Sequence, residues 1–176
     1  MSAAEAVAAP VPLVDTGRLH VVFGAGQVGR VLAALLAERG VTVRVVSRHR
    51  PAGLAEGIDW RAADAADLGA ASDAAKGAAG IYQCLNAPYA QWPERFPPLQ
   101  RGVVAAAERA GALLVSLENL YGYGPTGGKP LTEDLPLAAT TVKGRTRPAR
   151  QRPAAGRPRL RPHRTPQPRH LRQQLT

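Results

Sequence analysis

A short, mostly apolar run, His20-Val-Val-Phe23, leads directly into Gly24-Ala-Gly26-Gln-Val-Gly29. That leads directly into Arg30-Val-Leu-Ala-Ala-Leu-Leu-Ala-Glu38, an amphipathic helical pattern. No other feature constrains the fold as much. Gly24 permits a tight turn out of a strand, Gly26 leaves the backbone open to close approach, and Gly29 lets the helix pack against the strand. The N–H groups and the positive dipole end of the helix then face the turn, which makes an anion site without a charged side chain. A glycine triplet alone also occurs as a plain turn. Here a second strand, Val41–Val46, follows in the expected order. The reading is a dinucleotide diphosphate held by Gly24, Gly26 and Gly29, with the backbone of Gln27 and Val28 assisting.

The remaining periodicity extends this unit. Strands are expected at Leu19–Phe23, Val41–Val46, Ile58–Ala62, Gly80–Leu85 and Ala112–Ser116. Helices are expected at Gln27–Arg39, Leu68–Gly77 and Glu94–Ala110. The last has apolar residues at Leu99, Val103, Ala106 and Ala107 and polar ones at Gln100, Arg101 and Glu108, a helical period. Only loop-like residues join the second and third strands. Such alternation predicts an α/β fold, a Rossmann-type doubly wound parallel sheet of strand order 3-2-1-4-5, with ligands above the carboxyl ends of the strands.

The formal net charge of +10 suggests a nucleic-acid partner until it is divided along the chain. Residues 1–134 hold 12 Lys/Arg and all 13 Asp/Glu, whereas residues 135–176 hold 11 Lys/Arg and no acid. From Thr146 to Thr176 the chain is rich in Arg and Pro and has no aromatic residue. Prolines so spaced disfavour helix and sheet, and few large apolar residues remain to pack, so a disordered basic tail is expected at 146–176. Without aromatic residues it has no platform for base stacking, which argues against nucleic acid. Acid-free Arg/Pro text of this kind is what a frame slip in a GC-rich gene produces, and residues after about 146 are expected to be out of frame. Residues 1–17 read as a flexible leader without the charged start and apolar core of a signal peptide. The lone Cys84 excludes a disulfide framework and suits a reducing compartment. No apolar run approaches the roughly 20 residues of a membrane span. A cytoplasmic location is expected. His20, His49, His163 and His170 have no metal-ligand spacing, so no metal site is expected.

Further residues bear on the cofactor. NAD-selective folds place Asp or Glu at the end of the second strand; here stands Ser47-Arg48-His49-Arg50. A carboxylate there would repel a 2′-phosphate, whereas a guanidinium pairs with one, so NADP is favoured over NAD. The plainer alternative is that Arg48 and Arg50 are solvated loop charges. Asp64 is a candidate for the adenine amino group, and Asp67 for capping the next helix. Cys84-Leu85-Asn86-Ala87 ends the fourth strand with small residues against which the nicotinamide ribose can lie, Asn86 among them.

From about residue 18 to 145 the chain resembles an extended short-chain dehydrogenase/reductase of the NAD-dependent epimerase/dehydratase kind. The resemblance rests on Gly24-Ala-Gly26-Gln-Val-Gly29, Asp64-Ala-Ala-Asp67, Cys84-Leu-Asn-Ala87, Val115-Ser-Leu-Glu-Asn-Leu-Tyr121-Gly122 and Pro130-Leu-Thr-Glu-Asp-Leu-Pro136-Leu. It implies an NAD(P)-binding domain at 18–145, a small-molecule substrate and oxidoreductase chemistry. Two departures stand out. The family's Ser or Thr lies four residues before the Tyr of the Tyr-Gly pair; here that position is Leu117, beside Ser116. The family's Tyr-x-x-x-Lys falls at Ala139-Thr-Thr-Val-Lys143, with the lysine present and the tyrosine replaced. In the family that tyrosine transfers the proton and the lysine holds the ribose. Lys143 is thus a ribose ligand, Ser116, Tyr121 and Lys143 are weak catalytic candidates, and Tyr123 is a further phenol. The family also continues into a smaller substrate-binding domain, which this chain does not repeat. A catalytically incomplete reductase and a non-catalytic NADP sensor both suit these departures.

Overall fold

The computed structural model describes residues 16–132, 134–142 and 144. Lys143 and the basic segment lie outside the described residues, as does nearly all of the leader. The elements are β1 (Leu19–Phe23), α1 (Gln27–Glu38), β2 (Thr42–Ser47), β3 (Asp59–Ala62), α2 (Leu68–Ala74), β4 (Ala78–Gln83), α3 (Trp92–Ala110) and β5 (Leu113–Ser116). Single 3₁₀ turns occur at Tyr89–Gln91 and Leu120–Tyr123.

The five strands form one parallel sheet in the order β3-β2-β1-β4-β5, as the alternation implies. The strand order, not the strand direction, reverses between β3 and β4, so β1 and β4 are neighbours although distant in sequence. The crevice at their carboxyl ends is where such sheets take ligands. Residues 48–58 connect β2 to β3 without a helix.

Alternation along the strands divides the core into two layers. Val21, Phe23 and Ile81 point to the side covered by α2 and α3, joined by Ala71, Ala74, Val103 and Ala106. Val22, Val43 and Val45 point to the side covered by α1, with Ala33, Leu36 and Val41. Phe23 and Phe96 are fully buried, each contributing on the order of 2–3 kcal/mol of apolar transfer. Small residues let the helices approach the rest of the fold. A Cβ on Gly102 of α3 would collide with the carbonyl oxygen of Ala65, in the segment between β3 and α2. That close approach brings the first turns of α3 over the ends of the strands.

Local chemistry accounts for the boundaries. The Asp67 carboxylate caps α2, accepting from Gly69 N at 2.9 Å and Ala70 N at 3.0 Å, the role expected of it. α2 ends at Ala74 rather than Gly77, because the chain is already turning through Ala75 and Lys76 into a positive-φ Gly77. α3 begins at Trp92 rather than Glu94, since Pro93 suits a first helical turn, and Gly111 ends it in the left-handed conformation. β4 runs Ala78–Gln83 rather than Gly80–Leu85. Its pairing with β1 shifts between Leu19 and His20, which draws Ala78 into the ladder. Among the described residues β5 pairs only with β4; Leu113 and Val115, on one face of it, are each 45% exposed, and Leu117 just after it is 49% exposed.

Candidate functional site

The turn after β1 is held by its neighbours. Gly24 N donates to Val46 O at 2.9 Å, which ties the turn to the end of β2. Gly24 has φ +107°, and a Cβ on it would lie 2.7 Å from the Cys84 carbonyl oxygen, beyond the end of β4. A Cβ on Gly29 would overlap the Gly24 carbonyl oxygen and stand 3.3 Å from Cys84 Cβ. Those two glycines therefore let β1, β4 and α1 meet at one point. Gly26 differs: a Cβ there would meet nothing within 4 Å. The space beside Gly26 is open cleft, and packing gives no reason for its lack of a side chain.

The cleft has a volume of about 570 Å³ and lies over the carboxyl ends of β1, β2, β3 and β4. Gly24–Gly26, Val46–His49, Ala63–Ala66 and Cys84–Pro88 line it from the strand ends, and Glu94, Arg95, Pro98 and Leu99 form its wall from α3. The first hydrogen bond of α1 runs from Arg30 N to Gly26 O at 3.0 Å. The N–H groups of Gln27, Val28 and Gly29 thus have no helical carbonyl to bind, and no acidic side chain occupies the first turn. Open backbone at Gly26, unbonded N–H groups and a positive dipole end form a donor set that fits a diphosphate.

Most of the expected cofactor residues meet here. Ser47 has its hydroxyl committed, donating to His49 O at 2.7 Å and accepting from Trp60 Nε1 at 3.0 Å, so it shapes the loop after β2. Arg48 is exposed on the cleft wall and has no hydrogen-bond or ion-pair partner among the described residues. Arg50 turns away and lies over the Trp60 ring, 5.9 Å from its centroid. Asp64 lines the cleft with Oδ1 accepting from Ala66 N at 2.9 Å, which fixes its direction. Asn86 lines it too, its Oδ1 accepting from Ala87 N at 3.0 Å. Gln27, Val28 and Gly29 are absent from the lining of the cleft, which at this turn is formed by Gly24, Ala25 and Gly26.

The catalytic candidates do not gather with these. Ser116, at the end of β5, makes a 2.7 Å contact with Glu118 Oε1 and a 3.3 Å contact with Gln83 Oε1. A hydroxyl carries one proton, and the shorter contact takes it. Gln83 is 1% exposed, and its amide nitrogen has no partner among the described residues. Tyr121 lies 6.0 Å from Trp92 and lines a second cleft of about 650 Å³ with Tyr89, Leu120, Gly124, Pro125 and Thr140–Val142. Tyr123 shares its 3₁₀ turn. Ala139 N donates to Gly122 O at 3.1 Å, so the position without tyrosine packs beside the Tyr-Gly turn. Lys143 lies outside the described residues. Among those residues no cluster of His, Cys, Asp and Glu could hold a metal ion, and no helix is long and apolar enough to cross a membrane.

Sequence reasoning missed the α3 wall. Glu94, Arg95, Pro98 and Leu99 follow the glycine turn by some seventy residues, and no local pattern distinguishes a face turned to a ligand from one turned to water. It also missed His20, buried at 4% exposure, whose ring lies 5.9 Å from Tyr82 and whose Nδ1 is 3.2 Å from the phenol oxygen. Burial pushes the Tyr82 phenol and the Cys84 thiol above their ordinary pKa values.

No protein-family model matches the chain, and no curated protein matches it. Solved structures do. Uronate dehydrogenase from Agrobacterium tumefaciens is 23% identical, with a TM-score of 0.61 over 73% of this chain and 51% of that one. The Bordetella bronchiseptica enzyme WbmG, solved with NAD and UDP, is 20% identical, with a TM-score of 0.61 over 75% of this chain and 47% of that one. A short-chain dehydrogenase/reductase superfamily protein from Agrobacterium tumefaciens with bound NAD is 27% identical, with a TM-score of 0.57 over 73% of this chain and 42% of that one. The chain spans about half the length of the solved structures it matches. Their likeness establishes its fold as a Rossmann-type sheet of the kind those enzymes contain.

Proposed function

We propose that this chain is the dinucleotide-binding portion of an oxidoreductase resembling the short-chain dehydrogenase/reductases, and that it takes NADP in preference to NAD. The carrying observation is the open backbone at Gly26, in a turn whose other two glycines are closed by packing. The unbonded N–H groups of α1 hold the diphosphate, Asp64 meets the adenine, and Asn86 borders the nicotinamide ribose. The unpaired Arg48 on the β2 side of the cleft meets a 2′-phosphate. Solved neighbours with bound NAD support the dinucleotide, whereas the preference for NADP rests on Arg48 alone. When bound, the nicotinamide supplies a hydride acceptor or donor, and the chain orients it and shields it from water. Lys143 remains the proposed ribose ligand.

A second reading, a nucleotide sensor without chemistry, is favoured by Ala139 and Leu117 standing where the resembled family has its tyrosine and its Ser or Thr. Oxidation of NADPH in the presence of carbonyl substrates by a longer relative would decide for the enzyme.

Calorimetric titration with NADPH and NADH tests the binding. The full chain is expected to bind both, NADPH more tightly, and Arg48→Gln to weaken NADPH about tenfold while leaving NADH nearly unchanged. No binding of either dinucleotide refutes the cofactor, and equal effects on both refute the preference.

A further inference from the structure

The α3 wall of the cleft carries a cation that the glycine turn does not need for its geometry, and its placement gives it a task. Arg95, Pro98 and Leu99 are spaced i, i+3 and i+4, so they share one sector of the helix, and all three line the cleft. Arg95, Arg101 and Glu108 are all exposed, but of the three only Arg95 lies on the side of α3 that lines the cleft. It has no hydrogen-bond or ion-pair partner among the described residues. Glu94 is its immediate neighbour in sequence, and adjacent helical residues do not face each other.

Two guanidiniums therefore flank the end of β1 from opposite sides. Arg48 issues from β2 and Arg95 from α3, which packs on β4. The carboxylates lining the same cleft are Asp64 and Glu94, so its formal charge is balanced only because both arginines are present. Without Arg95 the cleft would be net negative and would oppose an anionic ligand. The backbone donors of α1 approach a diphosphate from one side only, which leaves its outer oxygens for a side chain on the facing wall.

The geometry points to Arg95 as a diphosphate ligand that closes over the glycine turn from α3, with Arg48 reserved for the 2′-phosphate. The inference rests on the dinucleotide reading above and assigns each phosphate group its own cation. A guanidinium serves because it offers several donors in a planar fork to phosphate oxygens. Arg95 is a binding and positioning residue, so its effect appears in affinity without any turnover.

Two probes separate the assignments. Adenosine diphosphate carries the diphosphate without a 2′-phosphate, and adenosine 2′-monophosphate carries the reverse. Calorimetry of the full chain at two salt concentrations, with thermal unfolding as the control for folding, is expected to show Arg95→Gln weakening the diphosphate probe about tenfold. The 2′-monophosphate is expected to bind as before. Arg48→Gln should show the opposite pattern, and the salt dependence of the diphosphate probe should be shallower in Arg95→Gln. Unchanged affinity for the diphosphate, or an equal loss for both probes, overturns the assignment while leaving the cofactor reading standing. If the unaltered chain binds neither probe nor either dinucleotide, both readings fall together.

Discussion

The glycine turn makes opposite demands at two positions three residues apart, and a pair of alanine substitutions separates them. In Gly29→Ala the new Cβ would overlap the Gly24 carbonyl oxygen, with the carbonyl carbon at 3.0 Å and Cys84 Cβ at 3.3 Å. The first two atoms are backbone, so no side-chain rotation relieves the collision. Ordinary nonbonded contacts of a methyl carbon begin at roughly 3.0–3.5 Å, so relieving the overlap with the carbonyl oxygen moves α1 off the turn by more than about 1 Å. Overpacking of this kind costs about 3 kcal/mol at its upper range, offset by about 1 kcal/mol from the better helix propensity of alanine. The net loss is about 2 kcal/mol, a fall in Tm of roughly 6–8 °C for a domain of this size.

In Gly26→Ala the Cβ meets nothing, and the residue already has φ −72° and ψ −169°, a conformation alanine adopts freely. Alanine is a poorer N-cap than glycine but restricts the unfolded chain more, and the two effects cancel to within about 0.5 kcal/mol. Its methyl group occupies the approach to the α1 backbone, so NADPH affinity is expected to fall at least about tenfold, or about 1.4 kcal/mol. Thermal unfolding and titration of both variants give the readout. Equal destabilisation by the two substitutions, or unaltered dinucleotide affinity in Gly26→Ala, would refute the reasoning.

Three further outcomes follow from the same structure. Asp67→Ala removes the acceptor for Gly69 N and Ala70 N and should cost about 1 kcal/mol; a denaturant midpoint equal to that of the unaltered chain would contradict the cap. Burial raises the Cys84 thiol above its ordinary value, so the folded chain holds its proton in a pH range where the unfolded chain begins to lose it. Stability should accordingly decline as pH rises past the ordinary thiol value, and less so in Cys84→Ser. Alkylation near pH 8.5 should be slower than in urea and slower still with NADPH, since Cys84 lines the cleft. Equal alkylation rates in the folded and urea-unfolded chains would contradict the shift.

Local patterns that repeat within one element were legible without coordinates. The alternating valines of β2, the apolar faces of α1 and α3, and the glycine turn predicted the parallel sheet, its strand order, and Gly24, Gly26, Ser47, Arg48, Asp64 and Asn86 at its carboxyl end. Strand order was legible because a right-handed crossover through a helix leaves few alternatives for such an alternation. Boundaries shifted where a neighbour intervened: the irregular β1–β4 pairing moved β4 toward Ala78, and the turn through Ala75 and Lys76 shortened α2.

Only the tertiary structure decided which unpaired side chains share a volume. Arg48 stood out in the sequence by its place after β2, whereas Arg95 is simply one arginine on a helix. They flank one cleft because Gly102 lets α3 close on Ala65 and because β4 pairs with β1 rather than with β3. The same packing turned Ser116 toward Gln83 and Glu118 and placed Tyr121 against Trp92, outside that cleft. Periodicity in a sequence reports which face of an element is apolar. Which other element covers that face, and what charge stands opposite it, is set by contacts between residues far apart in the chain.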